Sequence, residues 1–216
     1  MNSALFAPNE SLATALLPFA TPNESDGAHD IAHITRVWRN AYAIATIEGG
    51  TLDIIAAATL LHDCVSVEKD SPHRASASTQ AAKQAQIHLK DLGWHTDKIA
   101  RTCHAIEAHS FSANIPPETL EAKILQDADR LDAIGLIGVA RCFYVAGRMG
   151  SALYDPNDPH AQNRILDDRN FAIDHFETKL LTLAEGFQTN EGQRLATARH
   201  EELLGFRDAF LAQISA

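Results

Sequence analysis

The run from Ile54 to Leu61 (Ile-Ile-Ala-Ala-Ala-Thr-Leu-Leu) is apolar on every side, and His62 and Asp63 follow it at once. A segment of this kind has no face to offer water, so it predicts a helix surrounded by protein. A carboxylate at the end of a buried helix is expensive. Desolvation penalises its charge, and a helix C-terminus favours a cation rather than an anion. The pair therefore calls for something positive beside it, and a bound divalent metal ion would answer for both residues. The plain alternative is a His bonded to a backbone carbonyl and an Asp capping the next loop. For an isolated His-Asp dipeptide that alternative is the better reading, so the rest of the chain has to decide.

The pattern around this run is helical almost throughout. Ile31, Ile34, Val37, Trp38, Ala41 and Ile44 recur at helical spacing up to the Gly49-Gly50 stop. Further helices are expected from about 75 to 92, from 96 to 108 and from Pro116-Pro117-Glu118 onward, since Pro suits a first turn. Another is expected from 134 to 149. Two amphipathic helices, near 169–185 and 190–213, close the chain after a long loop with two Asp-Pro steps. Alternating apolar runs and Asn-Gly hairpin turns are both absent, so no strand is predicted. The expected architecture is an all-α single domain over 1–216, with a loose leader at 1–25 and a helical extension from about 150 packed on the core.

Three features lift the His-Asp pair above chance. His33 lies one helix earlier. Gln126-Asp127-Ala128-Asp129-Arg130-Leu131-Asp132 places three carboxylates at the end of an otherwise apolar helix, with Asp129 and Asp132 three residues apart on one face. The candidates thus fall on three separate helices. Two imidazoles and two carboxylates suit Mn, Fe, Co, Ni, Zn or Mg rather than a soft metal. Four protein ligands on an octahedral ion leave positions for water and substrate.

With these residues in place, the sequence resembles the HD-domain metal-dependent phosphohydrolases, whose signature is a first His, a central His-Asp pair and a distant Asp. The matches are His33 within AHDIAHITRV, the pair within Leu60-Leu61-His62-Asp63, and Asp129 within Asp127-Ala128-Asp129-Arg130-Leu131-Asp132. The runs HDCVSVEKDSPHR (62–74) and HSFSANI (109–115) are similar to a small bacterial, YedJ-like subgroup that includes a nucleoside triphosphate pyrophosphatase. The resemblance spans roughly residues 25 to 210. It implies an all-α HD-type bundle with additional C-terminal helices and one divalent metal ion held by His33, His62, Asp63 and Asp129. It also implies His33 rather than the neighbouring His29, and Asp129 rather than Asp127.

Other residues are candidates for contact with substrate. Lys69, Asp70 and Arg74 sit in the loop after the His-Asp pair. A cation there could neutralise a phosphate, and a carboxylate could orient the attacking water, which makes Lys69 and Asp70 catalytic candidates beside Asp63. His109 at a helix end, with Arg36 and Arg130 next to proposed ligands, completes the set of possible phosphate contacts. His104 reads as structural unless a second metal recruits it with His109, as in a di-iron oxygenase.

The expected activity is hydrolysis of a nucleotide or another small phosphate ester by a metal-activated water, with nucleoside triphosphate pyrophosphatase activity as one form. The alternative is a metal- and nucleotide-binding sensor without turnover. A formal net charge of −10 with no basic run disfavours duplex nucleic acid as a partner. No run of about 18 apolar residues is present, so no membrane span is expected. No Lys or Arg precedes Arg36, and the three cysteines form no C-x-x-C pair; both point to the cytoplasm. A monomer or a homodimer fits equally.

Overall fold

The computed structural model describes residues 2–21, 30–65, 76–110 and 113–214. Its helices are α1 (Glu10–Leu16), α2 (Ile31–Glu48), α3 (Leu52–Leu61), α4 (Ala77–Asp91), α5 (Thr96–His109), α6 (Leu120–Leu131), α7 (Gly135–Met149), α8 (Asp174–Thr178) and α9 (Asn190–Ile214). Short 3-10 turns cover Ser3–Phe6, Leu17–Phe19 and Leu180–Ala184. Among the described residues there is no strand, and the one isolated bridge pairs Ala152 with Phe171. The all-α expectation holds.

The chain forms two compact units. The first comprises 1–129 with 188–192, and the second comprises 130–187 with 193–216. In the first unit α3 is the hub, packed against α1, α2 and α5. Ile54 to Leu61 are all buried, as the absence of a polar stripe requires. Helix α2 starts where the Asp30 carboxylate accepts the N–H groups of Ala32 and His33, the usual device for satisfying a helix's first donors. It stops at Gly49 and Gly50, both at positive φ, where a side chain would be strained. The 2–21 segment, expected as a loose leader, is more ordered than that. Phe6, Ala13, Leu16 and Leu17 are buried, and the Phe6 ring lies 6.3 Å from Trp38.

Glu121 is nearly inaccessible, yet its carboxylate is well served. It accepts the Thr51 N–H at 3.0 Å and pairs with Arg101 at 2.6 Å. Burial alone would raise its pKa, but these partners hold it below the usual value. The pair ties the starts of α3 and α6 to α5.

Two sequence expectations shift. The prolines at 116–117 do not open α6. The helix begins at Leu120, after Thr119 turns its hydroxyl to the Ala122 N–H at 3.2 Å, a cap that Pro cannot provide. The predicted helix over 169–185 is broken. Lys179 leaves helical geometry at φ −144°, separating α8 from the 3-10 turn. The Thr178 hydroxyl donates to Asp168 and the Thr182 hydroxyl to the Lys179 carbonyl, local bonds that compete with a continuous helix. In this second unit Phe143, Phe176, Phe206 and Phe210 form a ring cluster with centroids 5.7 to 6.1 Å apart.

Candidate metal centre

His62 is the residue that ends α3, and its ring orientation is settled by its own helix. Nδ1 lies 2.7 Å from the Thr59 carbonyl, so Nδ1 carries the hydrogen and Nε2 presents its lone pair. His33, in the first turn of α2, brings its Nε2 to 3.3 Å from that of His62. Asp63 Oδ2 lies 3.6 Å from both nitrogens. Asp129, near the end of α6, places Oδ1 at 3.4 Å from His33 and 3.8 Å from His62. All four residues belong to the first unit.

Most of these separations suit atoms that could share one ion. Ligand bonds of about 2.0–2.2 Å set neighbouring donors roughly 3 to 3.6 Å apart. The two imidazoles are 0–1% exposed and the two carboxylates 30–32%, so the nitrogens form a buried floor and the oxygens a rim open to solvent. Complete burial pushes His62 below its ordinary pKa of 6.5 despite the nearby carboxylates, which keeps it neutral as a ligand must be. Burial alone would raise the Asp63 carboxyl. The adjacent His62, the hydrogen bond from His33 and the nearby His109 hold it well below the ordinary carboxylate range. Packing two imidazole nitrogens and two carboxylates this closely fits a divalent cation; His33, His62 and Asp129 form one group whose ligand atoms are close enough to hold one, and His62, Asp63 and His109 form another.

The HD domain model matches residues 30–134, the stretch that carries all four residues. Over 188 aligned residues the chain is also 35% identical to the uncharacterized protein YpgQ of Bacillus subtilis, covering 85% of this chain and 83% of that protein. The chain belongs to the HD domain family. Solved HD structures agree over nearly the full length. An HD-superfamily hydrolase from Bacillus thuringiensis superposes with a TM-score of 0.74 at 30% identity, covering 96% of this chain and 98% of that one. Bacillus subtilis YpgQ in complex with ADP gives 0.69 at 30% identity and covers 100% of both chains.

Within this HD centre, Asp127 and Asp129 play different parts. Asp127 is buried and accepts the N–H groups of Gln188 and Thr189 at 2.8 Å and the Thr189 hydroxyl at 2.7 Å, so it holds the turn into α9, where the Thr189 hydroxyl in turn accepts the Gly192 N–H at 3.0 Å. Asp132, on the face expected to be shared with Asp129, pairs instead with Arg141 at 2.9 Å in the second unit. His29, the other candidate for the first histidine, lies outside the described residues, as do Lys69, Asp70 and Arg74.

His109 ends α5 with Nδ1 at 2.6 Å from the Ile106 carbonyl, the arrangement His62 also has. Its Nε2 is 3.8 Å from Asp63 Oδ1, which places it beside the four residues. His104 is not drawn in. Its Nε2 accepts the Glu118 N–H at 2.9 Å, and among the described residues it is in neither group of ligand atoms close enough to hold an ion. Arg36 is half-buried one turn after His33 on α2. Arg130 belongs to the second unit, where it donates to the Gly186 carbonyl at 3.2 Å and lies over the Phe187 ring.

Two participants had no sequence signal. Neither Asn40, beside Arg39, nor Gln126, at the head of the carboxylate run, carries a mark of its role, and only the folded chain reveals what they hold. Asn40 donates to the Ala128 carbonyl at 3.0 Å, and Gln126 to the Ala108 carbonyl at 2.7 Å.

Proposed function

We propose that the protein is a metal-dependent phosphohydrolase acting on a nucleotide or a similarly small phosphate compound, with His33, His62, Asp63 and Asp129 as the ligands of one divalent ion. The observation that carries this reading is the convergence of the His33 and His62 Nε2 atoms, 3.3 Å apart, with a carboxylate oxygen of Asp63 at 3.6 Å from each and one of Asp129 at 3.4 and 3.8 Å from them. Such an ion, when bound, lowers the pKa of water and polarises a phosphoryl oxygen. The chain's own residues do the rest. Thr59 and Ile106 fix the tautomers of His62 and His109 through their carbonyls. The buried imidazoles exclude water from the inner side, and the carboxylate rim directs substrate to the open one. His109, at the rim, is placed to meet a phosphate or its water.

A nucleotide is favoured as the substrate class because the homologous Bacillus subtilis protein was crystallised with ADP. Lys69 and Arg74 are the proposed phosphate contacts from the loop after Asp63, with Arg36 next and then Arg130. Asp70 is proposed to orient water. Cleavage between the α and β phosphates of a nucleoside triphosphate is one form of this activity.

The test is a screen of nucleotides and simple phosphate esters with Mn, Co, Ni, Zn or Mg added, with products identified as phosphate or pyrophosphate. Turnover of a nucleotide that disappears with Asp63→Ala, while the helical circular dichroism is kept, is the expected result. Tight nucleotide binding with no turnover under any metal would overturn the catalytic reading in favour of a sensor.

A further inference from the structure

Three consecutive residues ahead of Asp129 are each tied to a different part of the first unit. The Gln126 side chain reaches the Ala108 carbonyl at the end of α5. The Asp127 carboxylate holds the 188–189 backbone. The Ala128 carbonyl accepts the Asn40 side-chain amide from α2 at 3.0 Å. The last of these ties differs from the others in what it joins.

Ala128 lies in the last turn of α6 and is buried. Its carbonyl has two lone pairs, and the helix ladder uses one at most, which leaves room for a donor from elsewhere. Asn40 supplies it from seven residues beyond His33, two helical turns along α2 and on the same face. One buried amide therefore bridges the helix that carries His33 to the residue directly before Asp129. His33 Nε2 and Asp129 Oδ1 face each other at 3.4 Å across the same pair of helices. An offset between α2 and α6 at Asn40 passes directly into that separation.

We infer that Asn40 is a positioning residue of the metal centre, setting the spacing of His33 against Asp129 through its bond to the Ala128 carbonyl. This rests on the metal reading proposed above. Asn40 touches neither ion nor substrate. Its effect is on how closely the ligand atoms match one ion, so it appears in affinity and in ligand-field geometry. Residues that orient metal ligands in this indirect way typically contribute about 10- to 100-fold in metal affinity.

The experiment titrates Co(II) into metal-stripped protein, reading the dissociation constant and the visible absorption of the bound ion. The proteins compared are the parent, His62→Ala, Asn40→Asp, Asn40→Ala and Leu89→Ala. Asn40→Asp keeps the size of the side chain and turns the donor into an acceptor facing the carbonyl. Asn40→Ala removes the group. Leu89 is buried on α4, and its truncation is a packing loss in the same unit that leaves the Asn40 bond intact. The expected result is about 10-fold weaker Co(II) binding in whichever Asn40 variants fold, with an altered absorption spectrum. Leu89→Ala should lower the melting temperature but keep the parent's affinity and spectrum. Asn40 variants that bind Co(II) with parent affinity and spectrum would overturn the inference. So would Leu89→Ala weakening Co(II) as much as they do. Failure of both Asn40 variants to fold makes the residue a requirement of the fold and likewise overturns a positioning role. If the parent binds no Co(II), or His62→Ala binds it unchanged, the metal reading itself fails, a different outcome from failure of the Asn40 inference alone.

Discussion

At the scale of single residues, the centre depends on imidazole orientation more than on imidazole number. His62 spends Nδ1 on the Thr59 carbonyl, so it has one nitrogen left to give. Replacing it removes a proposed ligand shared by both groups of described residues that could hold an ion. Purified His62→Ala should lose most of the divalent metal that the parent carries, about one ion per chain, while remaining folded; elemental analysis beside circular dichroism checks this. The cysteines make a second residue-scale prediction. Burial pushes the Cys64 thiol up to about 12 and those of Cys103 and Cys142 to about 11. Each thiol also points to a backbone carbonyl, of Ala81, Ala82 and Ala172 respectively. Thiolate is the reactive form. Native protein at pH 7.5 (about the middle of the physiological range) should therefore react with iodoacetamide far more slowly than the same protein in denaturant. Complete labelling of the native protein at the denatured rate would contradict the burial.

At the scale of elements, the junction of α6 with the start of α9 is tightly fitted. The space beside Gly192 is filled by the Asp127 carboxylate and the Thr189 hydroxyl, and an added Cβ would collide with both. The collision falls on a buried carboxylate with three donors, which cannot swing away without losing them. Gly192→Ala should accordingly cost about 1–3 kcal/mol of stability, the usual penalty for overpacking, whereas Gly205→Ala on the same helix meets nothing within 4 Å. Chemical denaturation of the two variants beside the parent measures the difference, and equal midpoints would show that the junction yields freely.

At the scale of the whole molecule, charge and pH act through the centre. His62 has a folded pKa depressed below its ordinary 6.5, so between those values the unfolded chain binds more protons than the native one. Its stability contribution is present above about 6.5 and is lost as the pH falls below that toward the folded value. Asp63 acts in the same direction at lower pH, because its folded pKa is also depressed. Metal-stripped protein should therefore lose stability progressively from about pH 6.5 downward, and His62→Ala should flatten the first part of that decline. Melting temperatures across this range decide it. The formal net charge of −10 poses the complementary problem of drawing in an anionic substrate. If the loop after Asp63 makes the approach locally positive, Lys69→Ala and Arg74→Ala should each lower kcat/KM about 10- to 100-fold, since a charge-assisted contact is worth roughly 1.5–3 kcal/mol. Metal content should not change. Parent kinetics in both variants would move that task to Arg36.

What the sequence alone determined was whatever local periodicity and unbearable local chemistry can express. The apolar run at 54–61 had to be interior, and the His-Asp pair at its end, read with His33 and the carboxylates at 127–132, pointed to a positive partner. The spacing of Ile31 to Ile44 and the Gly49-Gly50 stop marked α2 to within two residues. The break at Lys179 escaped because Thr178 and Thr182 act through bonds to particular partners, which periodicity does not encode. The same limit separates Asp127 from Asp129. Two residues apart on one helix, they point about 200° around the axis from one another. Only the packing of 188–189 on one side and of α2 on the other assigns the turn before α9 to the first and a place beside His33 to the second. Asn40 is the extreme case: its meaning is a hydrogen bond to a residue 88 positions away, and no local rule reaches that far.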